Sequence, residues 1–167
     1  MEEQFHTLIS LVRDEPGVLT RVAGLFRRRG FNIESLSVGH CERPGLSRMT
    51  IVVKGDDATV EQVTKQLDKL IEVVNVTDIT REEIVARELA LFKVSVGPED
   101  RSEIMQVCDI FRAKIVDVAH DSLIVEVTGG EDKINSLFRL LHRFGITEMG
   151  RTGRTALTRG ARSSIES

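Results

Sequence analysis

The sequence contains no tryptophan, no tyrosine and only seven phenylalanines, so it lacks the aromatic platforms on which single-stranded bases stack. Nor is there an excess of positive charge: 23 Lys and Arg against 26 Asp and Glu give a net charge of −3, which offers no field to hold a polyanion. No nucleic-acid partner is expected. Cysteine is scarce, and Cys41 and Cys108 lie far apart outside any CxxC, which suggests neither a disulfide framework nor a zinc site and suits a reducing cytoplasm. No apolar run approaches about 18 residues, and the opening Met1, Glu2, Glu3 lacks the basic and apolar regions of a signal peptide. The expectation is a cytoplasmic chain that makes no membrane contact.

What is present is ordinary for a globular protein: 41% of the residues are hydrophobic, and the 13 glycines bring the apolar share to about one half. A length of 167 residues accommodates one domain or two small ones. Residues 6–13 (HTLISLVR) read as a strand, closed by Asp14, Glu15, Pro16 and Gly17. Val18, Leu19, Val22, Leu25 and Phe26 then recur at helical spacing, with Arg21 and the arginines at 27–29 elsewhere on the wheel. Pro16 is expected at the first helical position, Asp14 or Glu15 as the cap, and Gly30 as the left-handed stop.

Residues 31–40 read as a second strand whose apolar phase slips between Ile33 and Leu36. A polar turn at 41–45 leads to a hairpin partner marked by Met49, Ile51 and Val53. Val60, Val63, Leu67 and Leu70 predict a helix over 57–70, and residues 73–79 return to strand composition. This order is that of a ferredoxin-like βαββαβ unit, a four-stranded antiparallel sheet with both helices on one face.

The second half repeats it, with a strand at 89–96, a helix at 101–111, a hairpin of 115–120 with 123–127, a helix at 134–142 and a strand at 145–149. Residues 67–79 (LDKLIEVVNVTDI) line up with 137–149 (LFRLLHRFGITEM) in their Leu and β-branched positions. The expected fold class is α+β, two tandem ferredoxin-like domains at 1–80 and 81–155. They join in the charged row 80–88, which reads either as a linker or as the start of a longer strand. Residues 156–167, rich in Arg, Ser and Gly, are expected to form a mobile basic tail.

No nucleophile beside a base, no HExxH, no Walker loop and no GxGxxG after a strand is found, so no catalytic residue is assigned. His6, His40, His120 and His142 stand singly and are expected at strand ends or on the surface; no metal ligand is assigned. The informative place is the start of the first helix, where backbone N–H groups and the positive helix end lie beside Gly17, which lets a ligand approach the main chain. An anion the size of a carboxylate fits such a place. Asn32, soon after that helix, offers an acceptor and donors for an ammonium and a carboxylate. The same residues serve equally as a cap, a tight turn and a second turn, and spacing alone leaves both readings open.

The rows DEPGVLTRVAGLFRRRGFNIESLSVG and LSRMTIVVKGD, at 14–39 and 46–56, resemble the N-terminal ACT domain of the small, regulatory subunits of acetolactate synthase, also called acetohydroxyacid synthase. The resemblance continues through LFKV at 91–94, IFRAKIVDVAHDSLIVEVTG at 110–129 and EMGRTGRTALTRG at 148–160, nearly the whole chain. It implies a protein with no active site and no cofactor of its own. Such a protein activates a large catalytic subunit, which carries thiamine diphosphate, Mg and FAD, and makes it sensitive to branched-chain amino acids. It further implies a homodimer through the ACT domains, with the effector valine, or leucine or isoleucine, held between two chains. Carried over, Asp14, Gly17, Val18 and Leu19 form the half-site at the helix start, and Asn32 and Ile33 face it from the partner chain. The amides at 17–19 take the carboxylate, Asp14 and Asn32 hold the ammonium and polar edge, and Val18, Leu19 and Ile33 bound the side chain. Pro16 departs from the small residue that several relatives carry there.

Two other readings remain. One is a free-standing ACT amino-acid sensor homodimer without an enzyme partner, against which no helix-turn-helix segment is seen. The other is an acyl-phosphate hydrolase using Arg29 and Asn32, which rests on fold analogy alone.

Overall fold

The structure, a computed structural model, describes residues 3–165. The first two residues of the acidic opening and the last two of the expected tail lie outside the described residues. The elements run β1 (Gln4–Arg13), α1 (Val18–Arg28), β2 (Ile33–His40), β3 (Leu46–Gly55), α2 (Asp57–Leu67), β4 (Val73–Asp78), β5 (Ile84–Ser95), α3 (Arg101–Phe111), β6 (Lys114–Val118), β7 (Ser122–Gly129), α4 (Glu131–His142), β8 (Ile146–Arg151) and β9 (Thr155–Thr158). They form two compact units. Unit 1 comprises Met1–Val85 with Gly153–Ser167, and unit 2 comprises Ala86–Thr152.

In unit 1 the antiparallel sheet has the order β2-β3-β1-β4. Alternation along the strands sends Leu8, Val12, Met49, Ile51 and Val53 to one face, where they meet Val22, Leu25 and Phe26 of α1 and Val60, Val63 and Leu67 of α2. The end of α1 explains how β2 is aimed. Gly30 has φ 74°, its N–H donates to the Arg27 carbonyl at 3.1 Å, and Phe31 N–H reaches back to the Phe26 carbonyl at 3.0 Å. This is the Schellman arrangement, and its hydrophobic contact is the edge-on pair Phe26–Phe31, 6.5 Å between ring centres.

Unit 2 repeats the plan as β6-β7-β5-β8, with Phe92, Val94, Leu123 and Val125 facing Ile104 and Cys108 of α3 and Ile134 and Leu137 of α4. The duplication extends to the irregularities of the ladders. Pairing slips between Leu11 and Val12 against β4 and between Lys93 and Val94 against β8; it slips between Ile33 and Ser35 against β3 and between Ile115 and Asp117 against β7. The matching bulges place the two units as copies of one plan, including the apolar phase slip visible at 33–36 in the sequence.

Of the two readings of the charged row 80–88, the structure takes the longer strand for its second part: 80–83 is a turn and β5 begins at Ile84. One expectation is corrected. Residues 156–165 are no free tail: they include most of β9, Ala156 and Ile165 are buried, and Arg159 N–H donates to the Glu83 carbonyl at 2.8 Å. The physical reason lies in β1 and β3, which are apolar on both faces. Thr7, Ile9, Leu11, Thr50 and Val52 lie on the face without helices and are buried as well. The returning segment holds to that face, with Arg154 Nη1 donating to Thr7 Oγ1 at 3.1 Å and Arg48 Nη2 donating to the Ala156 carbonyl at 2.6 Å.

Candidate functional site

The start of α1 differs from the sequence expectation in one respect that matters for binding. The residue before the helix is Gly17, with φ 86° and ψ −7°, and neither Asp14 nor Glu15 caps it; Pro16 lies in the preceding turn, outside the helix. A left-handed glycine turns the chain into the helix without a side-chain acceptor; Val18 N–H donates to the Glu15 carbonyl at a long 3.5 Å, and no side chain caps the first turn. The first turn holds no acidic residue, while Arg27 and Arg28 occupy the last turn. The positive N-terminal end of the helix therefore has no anionic side chain of its own.

Asp14 is instead oriented by the far end of the β2–β3 hairpin. Its N–H donates to the Gly45 carbonyl at 2.9 Å, its Oδ1 accepts from Ser47 Oγ at 3.5 Å, and its Oδ2 lies 3.4 Å from His40 Nδ1. His40 and Ser47 are themselves paired across the hairpin, so one rung of the ladder addresses one carboxylate. The carboxylate stays half exposed. Val18 turns its side chain into the core of unit 1, leaving its main chain at the helix start, whereas Leu19 is exposed.

Asn32 and Ile33 sit at the other end of α1, on the rim of a shallow hollow of about 470 Å³ that Ala23, Arg27 and Phe31 also line. Asn32 is exposed and Ile33 is half-buried against the core. Eleven helical residues separate the two groups by about 16 Å along the axis. One chain does not bring Asp14 and Gly17–Leu19 together with Asn32 and Ile33. Arg29, weighed with Asn32 for phosphate chemistry, donates Nε to Gln66 Oε1 at 3.0 Å.

His6, expected at a strand end or on the surface, lies near the start of β1 but is buried there. Its side chain is 3% exposed, Nδ1 lies 3.0 Å from Asp78 Oδ2, and Nε2 lies 3.5 Å from Asp57 Oδ1. Asp57 also accepts from Gln4 and Arg81, both at 2.6 Å. The cluster edges a cleft of about 410 Å³ with Glu61 and Glu82. Its signal in the sequence was slight, a histidine in phase with Leu8 on the inward face of the first strand. Among the described residues no three His, Cys, Asp or Glu side chains gather to hold a metal, and no helix is long and apolar enough to cross a membrane.

Comparison with known proteins bears on both units. A family described as the AHAS small subunit-like ACT domain matches residues 8–75, and one described as the small subunit of acetolactate synthase matches residues 87–160. The chain is 60% identical over 155 residues to a probable acetolactate synthase small subunit of Archaeoglobus fulgidus, covering 93% of this chain and 97% of the relative. It is 50% identical over 162 residues to the acetolactate synthase small subunit of Mycobacterium bovis, covering 97% and 96%. Among solved structures, the acetolactate synthase small subunit of Thermotoga maritima aligns with a TM-score of 0.88 at 46% identity, over 95% of this chain and 99% of that one.

Proposed function

The chain belongs to the acetolactate synthase small-subunit family, with an ACT domain in its first unit, and from that membership we propose that it activates the large catalytic subunit and confers inhibition by valine. Thiamine diphosphate, Mg and FAD belong to that partner, and this chain supplies no reacting group. The observation that carries the effector half of the proposal is the start of α1: an uncapped helix end behind a left-handed glycine, with an exposed carboxylate beside it.

The two half-sites at opposite ends of α1 become one site when two chains meet. The main-chain N–H groups at 17–19 of one chain take the valine carboxylate, which the positive helix end favours. Asp14, held by Ser47 and His40, and Asn32 of the second chain take the ammonium. Leu19 and Ile33 bound the isopropyl group, while Val18 commits its side chain to the core and its N–H, now 3.5 Å from the Glu15 carbonyl, turns to the carboxylate on binding. By linkage, valine inhibits only if it binds more tightly to the arrangement in which the catalytic partner works more slowly; a coupling of about 1–3 kcal/mol is enough. Leucine and isoleucine carry the same main-chain groups and compete for the same amides.

Asn32→Ala tests the assignment. The expected outcome is a rise of about tenfold in the valine concentration needed for half inhibition, with activation of the large subunit retained. An unchanged valine response would remove Asn32 from the site, and loss of both properties would mark a folding defect.

A further inference from the structure

The chain crosses between its units twice, returning to unit 1 at Gly153. At that return it meets the middle of β2 more closely than any side chain permits. A Cβ built on Gly153 would lie 2.3 Å from the Leu36 carbonyl oxygen, 2.5 Å from its carbon and 3.0 Å from its nitrogen. All three atoms are main chain, so no rotamer change relieves the overlap. The next two residues fasten the contact: Arg154 N–H donates to Ser35 Oγ at 3.0 Å, and Thr155 Oγ1 lies 3.3 Å from Ser37 Oγ. Three successive residues of the returning segment thus address three successive residues of β2.

β2 needs such a hold. Among the described residues of one chain it is the edge strand of the unit 1 sheet, paired with β3, and that pairing slips between Ile33 and Ser35. The bulge leaves Glu34 outside the ladder next to the Asn32–Ile33 half-site, and the returning segment contacts the strand from Ser35 onward. We infer that residues 153–155 are a strap that positions β2, and through it Asn32 and Ile33, for effector binding. This rests on the effector reading given above. Gly153, Ser35 and Ser37 touch no ligand in that reading; they are positioning residues.

The test uses the full-length chain with its large subunit, and valine as the probe. Gly153→Ala is expected to raise the valine dissociation constant, by calorimetry, about tenfold or more. It is also expected to speed amide hydrogen exchange over residues 33–38 in the ligand-free chain while the amides of β1 stay protected and activation of the large subunit is kept. Ser35→Ala combined with Ser37→Ala inserts no atoms and is expected to give a smaller change of the same kind, which keeps the inference testable if Gly153→Ala does not fold. Unaltered valine affinity and exchange in the serine double variant, or exchange that rises evenly through unit 1, overturns the strap. If the unaltered chain itself binds no valine, leucine or isoleucine, the effector reading falls and the strap's role falls with it. Normal binding by both variants removes the strap alone.

Discussion

Arg112 and Gly30 occupy the same place in the two repeats, just past the first helix of each unit, and both are left-handed, at φ 53° and 74°. Glycine adopts that conformation freely, whereas arginine sets its Cβ against the following carbonyl at a cost of about 1 kcal/mol. Arg112→Gly is therefore expected to stabilise unit 2 by about that amount, read from denaturant unfolding. Gly17 is the converse: alanine there meets no atom within 4 Å, yet φ 86° makes it strained. Gly17→Ala should cost about 1–2 kcal/mol and weaken valine binding together with stability. Gly30 was legible in the sequence as a helix stop, but nothing in the letters at 112 announces a left-handed residue. Gly17 was legible as a permissive position and not as the cap, because Asp14 has a better use beside Ser47 and His40. That use depends on hairpin register, which local pattern does not specify.

The elements owe their ends to identifiable groups. Asp56 caps α2 by accepting from the N–H and hydroxyl of Thr59, both at 2.8 Å, and these bonds hold its carboxyl below the usual carboxylate range. Glu72 is lowered likewise by the guanidinium of Arg21. A carboxylate depressed in the folded state contributes stability that is complete above its unfolded pKa, about 3.9 for Asp and about 4.3 for Glu, and is lost as pH falls through the lower folded value. Asp56→Asn keeps an acceptor and loses the charge, so the gap in melting temperature between it and the unaltered chain should close as pH is lowered below about 3.9. In unit 2 a different pairing anchors β5 to β8: Glu88, 7% exposed, accepts from Arg151 Nε at 2.8 Å and Nη2 at 2.7 Å. Arg151→Ala leaves a buried carboxylate without its partner and should cost about 3 kcal/mol. Helix placement followed from periodicity because each helix has one apolar face, and β1 and β3, buried on both faces, were legible from their β-branched and Leu-rich composition instead. Buried polar pairs such as His6 with Asp78 and Glu88 with Arg151 escaped notice because their partners are 72 and 63 residues away.

At the scale of the whole chain, the duplicated plan was readable from element order, and the shared bulges confirm it. The return of residues 153–165 to unit 1 was not readable, because arginine, serine and glycine are the composition of a solvated tail as much as of a covering segment. The clue lay in β1, whose run LISLV is apolar on both faces and demands cover on each. Phe26, 1% exposed, lies in the core of unit 1 and pairs with Phe31, and Phe26→Ala is expected to cost about 3–5 kcal/mol, measured as loss of the unit 1 transition on heating. The central claim, regulation of a catalytic partner through an effector at the ends of α1, is tested most directly by one titration. The acetolactate-forming rate of the large subunit is followed as this chain is added, and then as valine is added at saturating chain. The account predicts a rise in rate on adding the chain and a fall on adding valine. A rate that this chain leaves unchanged, or a raised rate that valine leaves untouched, would contradict it.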